Sequence, residues 1–360
     1  MKFIPIMMIL VTATSSACAT TPGQPNDRAA IVEALADAME ENYVFAEVGQ
    51  TYGAGLREGQ SSLGSYEGSA DEFSEALTAF MQQIHFDAHL RTFSPDPADE
   101  DEHALVQSSS SFPNAIEDNR LIAPDIAYIR FNLFPADWPD NANILPALQS
   151  FIERHSGIGN LIIDVRGHRG GGLSEIDLLN AHLFSEETLL LVMDTRVAAE
   201  EAGVVAAPEA LSFRQVDGPD GVIRRQHWAI PAARPLLSET KVFILISDYS
   251  ASAAEHLIFA LQRTGRATLI GEASRGGGHF GGTVQLPGGF AVFVPVGRTF
   301  DPDTGEDWEG DGVAPDIAVP TDDALIVALV QSGVSEVDAR ALNSEIDYTP
   351  PRGPRSRTAE

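Results

Sequence analysis

The sequence predicts an α/β fold: a helical N-terminal region, then a core in which apolar strands alternate with amphipathic helices. Two short apolar runs, "NLIIDV" and "KVFILIS", are each followed at loop distance by a helical stripe, "SEIDLLNAHLF" and "ASAAEHLIFALQRTG". The runs "ATLIG", "TVQL" and "FAVFVPV" add strands toward the C-terminus. Ahead of them, Ile31, Leu35, Met39 and Tyr43 recur every four residues, as one face of a helix does.

Taken in order, residues 1–18 read as an export signal: Lys2, an apolar run over residues 3–11, then small residues. That run is too short to span a bilayer. Cys18, the only cysteine, has no internal disulfide partner. It follows "SSA" and resembles a bacterial lipoprotein processing site, although Ser15 stands where leucine is usual. The expectation is a cell-envelope protein, exported across the inner membrane and periplasmic or lipid-anchored at Cys18. Residues 27–95 form the helical region. Its later helix is announced by the Ser-x-x-Glu box at Ser69 and striped by Phe73, Leu77, Phe80, Met81 and Ile84. The acidic, serine-rich "DPADEDEHALVQSSSS" reads as a solvated loop, residues 120–330 as the α/β core, and 345–360 as a disordered tail.

Composition excludes some functions. The 360 residues are 44% hydrophobic, enough for one large core or two smaller ones. A formal net charge of −29 leaves no cationic surface to displace counterions from phosphate, so no nucleic-acid partner is expected. No His-Glu-x-x-His occurs and a single cysteine cannot build a thiolate cluster, so neither metal nor cofactor is expected. "DPDTGEDWEGDG" has calcium-loop composition without EF-hand spacing. Nothing in the sequence sets an oligomeric state.

Ser252 lies where "KVFILIS" turns into a helix, at the carboxyl end of a strand expected to be central, which is where α/β sheets place ligands. Its neighbours Ala251 and Ala253 leave room for a substrate, and the first helical amides could receive an oxyanion. A helix-capping role fits the same position, and Ser250 would serve it equally. "DVRGHRGGG" lacks both Gly-x-Gly-x-x-Gly and a P-loop lysine. It reads as a tight turn from which Gly170 or Gly171 offers a second oxyanion donor. A serine hydroxyl needs a base. Of the two lysines, Lys2 is in the export signal and Lys241 starts the strand, roughly 20 Å from its far end at about 3.3 Å per residue. A Ser–Lys pair is thereby excluded. His256 follows Ser252 on the same helical face but is rooted one turn deeper, where packing is the expected role.

"LIIDVRGHRGGG" and "SDYSASAAEHLIFALQRTGRATLIGE", in this order, resemble the C-terminal processing (tail-specific) serine peptidases, with further matches at "FDAHLR" and "WEGDGVAPDIAV". The resemblance covers residues 27 to 330 and implies a crotonase-like ββα-type core. It also implies hydrolysis of peptide bonds in proteins or peptides, and Ser252 as nucleophile. Many members place a lysine in a glycine turn; here, in "GEASRGGGHF", Gly277 takes its position. His89 matches the histidine of the tricorn-type branch and Glu309 its glutamate, implying a Ser-His-Glu mechanism with His279 as alternative base. Gly170, Gly171 and Ala253 are expected around the oxyanion. Because a histidine base titrates at about pH 6.5 and a neighbouring carboxylate raises that value, activity is expected to fall on the acid side with an apparent pKa of roughly 6–7.5. The "FDAHLR" and "RTFDPDTGEDWEGDGVAPD" segments are also similar to interphotoreceptor retinoid-binding-protein modules. That similarity implies the competing class, a non-catalytic module binding an apolar ligand or peptide. About thirty residues separate "RTFSP" from "DIAYIRF", too few for a PDZ domain.

Overall fold

A computed structural model describes residues 27–95, 115–138, 141–346 and Tyr348. The export signal, Cys18, the acidic loop from residue 96 and most of the C-terminal tail lie outside the described residues.

Four helices open the chain: α1 (Arg28–Asn42), α2 (Ala46–Glu58), α3 (Gln60–Gly64) and α4 (Ala70–Ile84). Ser69 and Glu72 form the expected capping box of α4, each satisfying a backbone amide of the other's end. Then come β1 (Arg91–Phe93), β2 (Ile116–Ala123), β3 (Ile126–Phe131), α5 (Ile144–Arg154), β4 (Asn160–Asp164) and α6 (Ser174–Leu183). An antiparallel excursion follows through β5 (Thr188–Arg196), α7 (Val197–Glu201), β6 (Phe213–Val216) and β7 (Val222–Ala229). The chain returns through β8 (Lys241–Ile246), α8 (Ala253–Arg263), β9 (Ala267–Gly271), β10 (His279–Gln285), β11 (Ala291–Phe300) and β12 (Ile317–Ala318). Two helices, α9 (Ala324–Gln331) and α10 (Glu336–Glu345), come last.

One sheet runs β12-β9-β8-β4-β3-β2, parallel except for the edge strand β2. Its central strands are apolar on both faces because both faces are covered. Along β8, Val242, Ile244 and Ile246 pack with α8 residues such as Leu257 and Leu261. Phe243 and Leu245 alternate to the other face, against Leu325 and Leu329 of α9. The buried Asp164 carboxylate at the end of β4 is paired bidentately with Arg166 (3.0 and 2.7 Å) and receives the Tyr128 hydroxyl at 2.6 Å. The segment expected to be a disordered tail begins inside α10, and Tyr348 lays its ring 3.8 Å from the Arg166 guanidinium.

The second sheet runs β1-β11-β5-β7-β6, with β10 also on β11. The helical region is not a free-standing unit. Val292, Val294 and Val296 of β11 are buried in one core with Leu35, Met39 and Leu77 of the helices. The region also docks through a buried polar contact: Asp87 receives His279 Nδ1 at 2.6 Å and the Tyr43 hydroxyl at 2.9 Å. Burial works against the His279 imidazolium, but the bond to Asp87 and its charge hold the histidine above its ordinary range. Burial likewise opposes the Asp87 anion, yet His279 draws that carboxyl below its usual value.

His279→Ala, which leaves a buried charge unpaired, should lower stability by about 3–5 kcal/mol, read as a fall in Tm. The pH dependence follows from the two directions. The histidine's contribution is complete below about pH 6.5 and lost as pH rises through its raised value. The aspartate's is present above about pH 4 and lost as pH falls through its lowered value. The difference in Tm between wild type and variant should therefore be greatest between those limits.

Candidate active site

The turn between β8 and α8 is lashed to the segment after β4. Ser247 Oγ donates to the Arg166 carbonyl at 2.6 Å, and Ser250 Oγ donates to that of Val165 at 2.8 Å. Ser250 is thus a structural hydroxyl. Ser252 follows with φ +55° and ψ −118°, the only non-glycine residue of positive φ among those described. Such a backbone costs on the order of 1–3 kcal/mol and persists only where its surroundings impose it.

Glu255 imposes it. This buried carboxylate accepts the Ser252 amide at 2.7 Å and the Gly277 amide at 2.8 Å on Oε2. Oε1 accepts Ser274 Oγ and the Gly276 amide, both at 2.6 Å. Burial pushes its pKa up, and the four donors work in the opposite direction. One side chain therefore sets the serine's backbone and the glycine turn 276–277 together. Sequence reasoning missed it, although Ser252-Ala-Ala-Glu255 is the same Ser-x-x-Glu signal as at Ser69.

Facing Ser252 is the turn after β4. Gly170 (φ +116°) and Gly171 (φ +127°) occupy backbone space that side chains rarely enter. A Cβ on Gly170 would lie 2.8 Å from Ser252 Cβ, so glycine is what allows the close approach. The Gly170 amide is spent on His168 Nδ1 at 3.0 Å, which removes Gly170 from the expected oxyanion donors. Gly171 and Ala253 remain. Both border, with Ser252, a cavity of about 150 Å³. Ala253 is the first residue of α8, where amides have no intrahelical acceptor.

His89 and Glu309 come together on the other side of the glycine turn. A Cβ at Gly277 would lie 2.5 Å from His89 Cε1, so the imidazole fills the space into which any side chain at 277 would project. His89 Nδ1 is buried without a hydrogen-bond partner. Burial drives the His89 pKa down to about 4; the Asp87 charge opposes this, and the His279 charge adds to it. The sequence-based expectation was a value raised by the neighbouring carboxylate, and desolvation reverses it. Glu309 Oε1 accepts the Ala88 amide at 2.7 Å, while Oε2 accepts those of Gly278 and His279 at 2.7 and 3.0 Å. It thus ties the His89 segment to the glycine turn through backbone amides rather than by a bond to the imidazole. Burial, aided by the Asp87 charge, raises its pKa to about 7.

His89 and Ser252 share no hydrogen bond; the two are linked through Gly277, whose amide shares Glu255 Oε2 with Ser252. His279 borders the Ser252 cavity, but its ring stands edge-on to Tyr43 and Phe45, and its Nδ1 is held by Asp87. Asp87, unnoticed in the sequence, is the residue of "FDAHLR" that makes this pair. Lys241 Nζ lies over the Phe243 ring and 3.4 Å from the Gln331 carbonyl, at the opposite end of β8 from Ser252. Asp87, His89 and Glu309 bring potential ligand atoms within 4.8 Å of one another. The two carboxylates already receive six donors: the His89 amide, the Tyr43 hydroxyl and His279 Nδ1 on Asp87, and three amides on Glu309. The cluster is a hydrogen-bonded clamp.

Comparison with known proteins identifies the family. Residues 125–319 match the model of peptidase family S41. The carboxyl-terminal-processing protease of Picosynechococcus sp. is 26% identical over 196 residues, covering 54% of this chain and 39% of that protein. The chloroplastic carboxyl-terminal-processing peptidase 3 of Arabidopsis thaliana is 25% identical over 234 residues, covering 64% of this chain and 38% of that one. The chain thus spans about two fifths of the length of these curated relatives. A solved structure described as a putative peptidase, from Parabacteroides merdae, superposes with a TM-score of 0.57 at 17% identity, covering 88% of this chain and 98% of that one. The matched region contains the β4 turn, Ser252, Glu255, the glycine turn and Glu309, and the chain belongs to peptidase family S41.

Proposed function

We propose that the protein is a serine peptidase acting on proteins or peptides. Ser252 Oγ attacks the peptide carbonyl carbon, and His89 takes the hydroxyl proton and returns it to the leaving amine. Water then releases the acyl group from the serine. The amides of Gly171 and Ala253 receive the negative oxygen. The observation that carries this reading is Ser252 itself, a non-glycine held at positive φ between a central strand and a helix by a buried carboxylate.

The choice of base follows from electrostatics. His89, kept neutral by burial, has a free lone pair at neutral pH. His279 is held above its ordinary range by Asp87, so it keeps its proton to higher pH than an ordinary histidine and is the less ready acceptor of the two. Glu309 acts as a positioning residue through the three amides it receives. A non-catalytic reading also has an observation behind it. A cavity of about 210 Å³, walled largely by Leu173, Met193, Val205, Pro208, Phe213 and Phe280, adjoins the serine site and suits an apolar ligand. A fluorophosphonate probe separates the two, since it labels Ser252 only if the hydroxyl is activated.

Ser252→Ala should abolish both labelling and hydrolysis while the fold is retained. His89→Ala should lower turnover by on the order of 10³-fold or more, the loss typical of a base. Glu309→Gln, which keeps one carbonyl acceptor, should leave more activity. In wild type, the acid limb of kcat/KM should lie near the His89 value of about 4 rather than at 6–7.5. Labelling and turnover that survive His89→Ala but vanish in His279→Ala would move the base to the glycine turn.

The setting inferred from Lys2, the apolar run and Cys18 is the cell envelope, with a lipid anchor at Cys18. Cys18→Ser should then move the protein from the membrane fraction to the soluble one. An unchanged distribution would leave export without lipidation.

A further inference from the structure

One turn beyond Ser252 on α8, His256 lines the same cavity and is 3% exposed. It ends a chain of three groups, two buried histidines and the partly exposed Asp177. Asp177 Oδ1 lies 2.8 Å from His227 Nε2, and His227 Nδ1 lies 2.7 Å from His256 Nε2. Asp177 also receives Ser212 Oγ at 2.8 Å, and the Phe213 ring stacks on His227 at 4.4 Å and 12°, fixing its plane.

Hydrogen-bond bookkeeping gives the proton arrangement that goes with an uncharged His227. An ionised carboxylate only accepts, so His227 carries its proton on Nε2. The Nδ1 of a neutral His227 is then a lone pair, and His256 must donate to it from Nε2. His256 Nδ1 is left bare, with no partner in the protein. Burial, reinforced by His227, holds the His256 pKa well below the ordinary value, so the ring stays uncharged. The cavity around this acceptor is walled largely by Leu173, Met193, Phe280 and Trp308, whose indole Nε1 is itself buried without a hydrogen-bond partner.

We propose that His256 is a specificity-determining residue: a neutral imidazole locked in one tautomer, whose Nδ1 accepts a hydrogen bond from a backbone N–H of a peptide bound at Ser252. The assignment rests on the peptidase reading for its substrate, but not for its tautomer. Asp177 and His227 are positioning residues that act through His256. The apolar neighbours make the bond selective, because an N–H entering this cavity finds an acceptor where an alkylated nitrogen would leave Nδ1 buried and unpaired.

Two variants separate this role from packing. In His256→Gln the side-chain amide reaches the Nε2 position and keeps the bond to His227, while the acceptor at Nδ1 is lost. His256→Asn retains a polar atom near Nδ1 and breaks the chain. The glutamine variant should keep the wild-type Tm and kcat and raise KM roughly 3- to 10-fold, the size of one net hydrogen bond. A peptide series N-methylated one amide at a time should contain one position that is penalised in wild type and indifferent in His256→Gln. If no methylated position loses its penalty, or if His256→Gln and His256→Asn cost only stability, the proposal is overturned. Side-chain ¹⁵N spectra of histidine decide the tautomer without turnover. They should show His256 unprotonated at Nδ1 and not titrating around neutral pH. A proton on Nδ1 would overturn the proposal even if peptidase activity were absent. Lack of both fluorophosphonate labelling and peptide turnover, with the spectrum as expected, would instead count against the peptidase reading and the substrate role drawn from it.

Discussion

The site depends on one buried carboxylate. Glu255 is enclosed by protein, where an anion is unfavourable unless its lone pairs are met by donors. Four donors meet them, and they come from two separate stretches of chain: Ser252 on one side, and Ser274, Gly276 and Gly277 on the other. The strained φ of Ser252 is affordable because the amide it exposes is bound there. The glycine turn is placed for the same reason. Without Glu255 the serine backbone would be free to relax, and the surface against which His89 packs would lose its anchor. A neutral isostere keeps the shape but offers fewer accepting lone pairs, so the arrangement is electrostatic as much as steric.

A second carboxylate repeats the device one layer out. Glu309 receives amides from Ala88, Gly278 and His279, joining the segment of His89 to the other side of the same turn. Between the two glutamates the turn 276–279 is bonded on every amide. Glycine is required because side chains would collide: a Cβ at 276 would meet the Gly310 backbone at 2.7 Å, and one at 278 the Glu309 amide at 3.0 Å. The histidines on either side then differ by environment alone. His89 has an unpartnered Nδ1 and is pushed down by burial; His279 faces Asp87 and is pushed up by it. Two imidazoles one glycine turn apart are thereby shifted in opposite directions.

Much of this was legible in the chain. Continuous apolar runs specified β4 and β8, and four-residue spacing specified α1, because burial on two faces or one leaves a direct imprint on sequence. Ser252, His89 and Glu309 were marked by ordered motifs. What was not legible depends on long-range contact. The antiparallel strands β5 to β7 mix polarity with burial: β7 alternates buried and half-buried positions, but the buried ones include Arg225 and His227, so the sequence shows no apolar alternation. Asp87 and His279 are 192 positions apart, and no local pattern announces that they meet. Gly170 was a reasonable oxyanion donor until His168 proved to take its amide. The direction of the His89 shift could not be read either, since motif adjacency reveals the carboxylate but not the burial that outweighs it. Glu255 is the exception: its signal was local and was passed over beside the serine.

The most direct test of the account is an experimental structure of Ser252 covalently modified by a phosphonate, whose tetrahedral phosphorus imitates the intermediate of acyl transfer. The account predicts a phosphoryl oxygen within hydrogen-bond distance of the Gly171 and Ala253 amides, His89 Nε2 directed at Ser252 Oγ, and His279 still bonded to Asp87. An adduct in which His279 has left Asp87 to approach the serine, or in which the phosphoryl oxygen turns away from both amides, would contradict it.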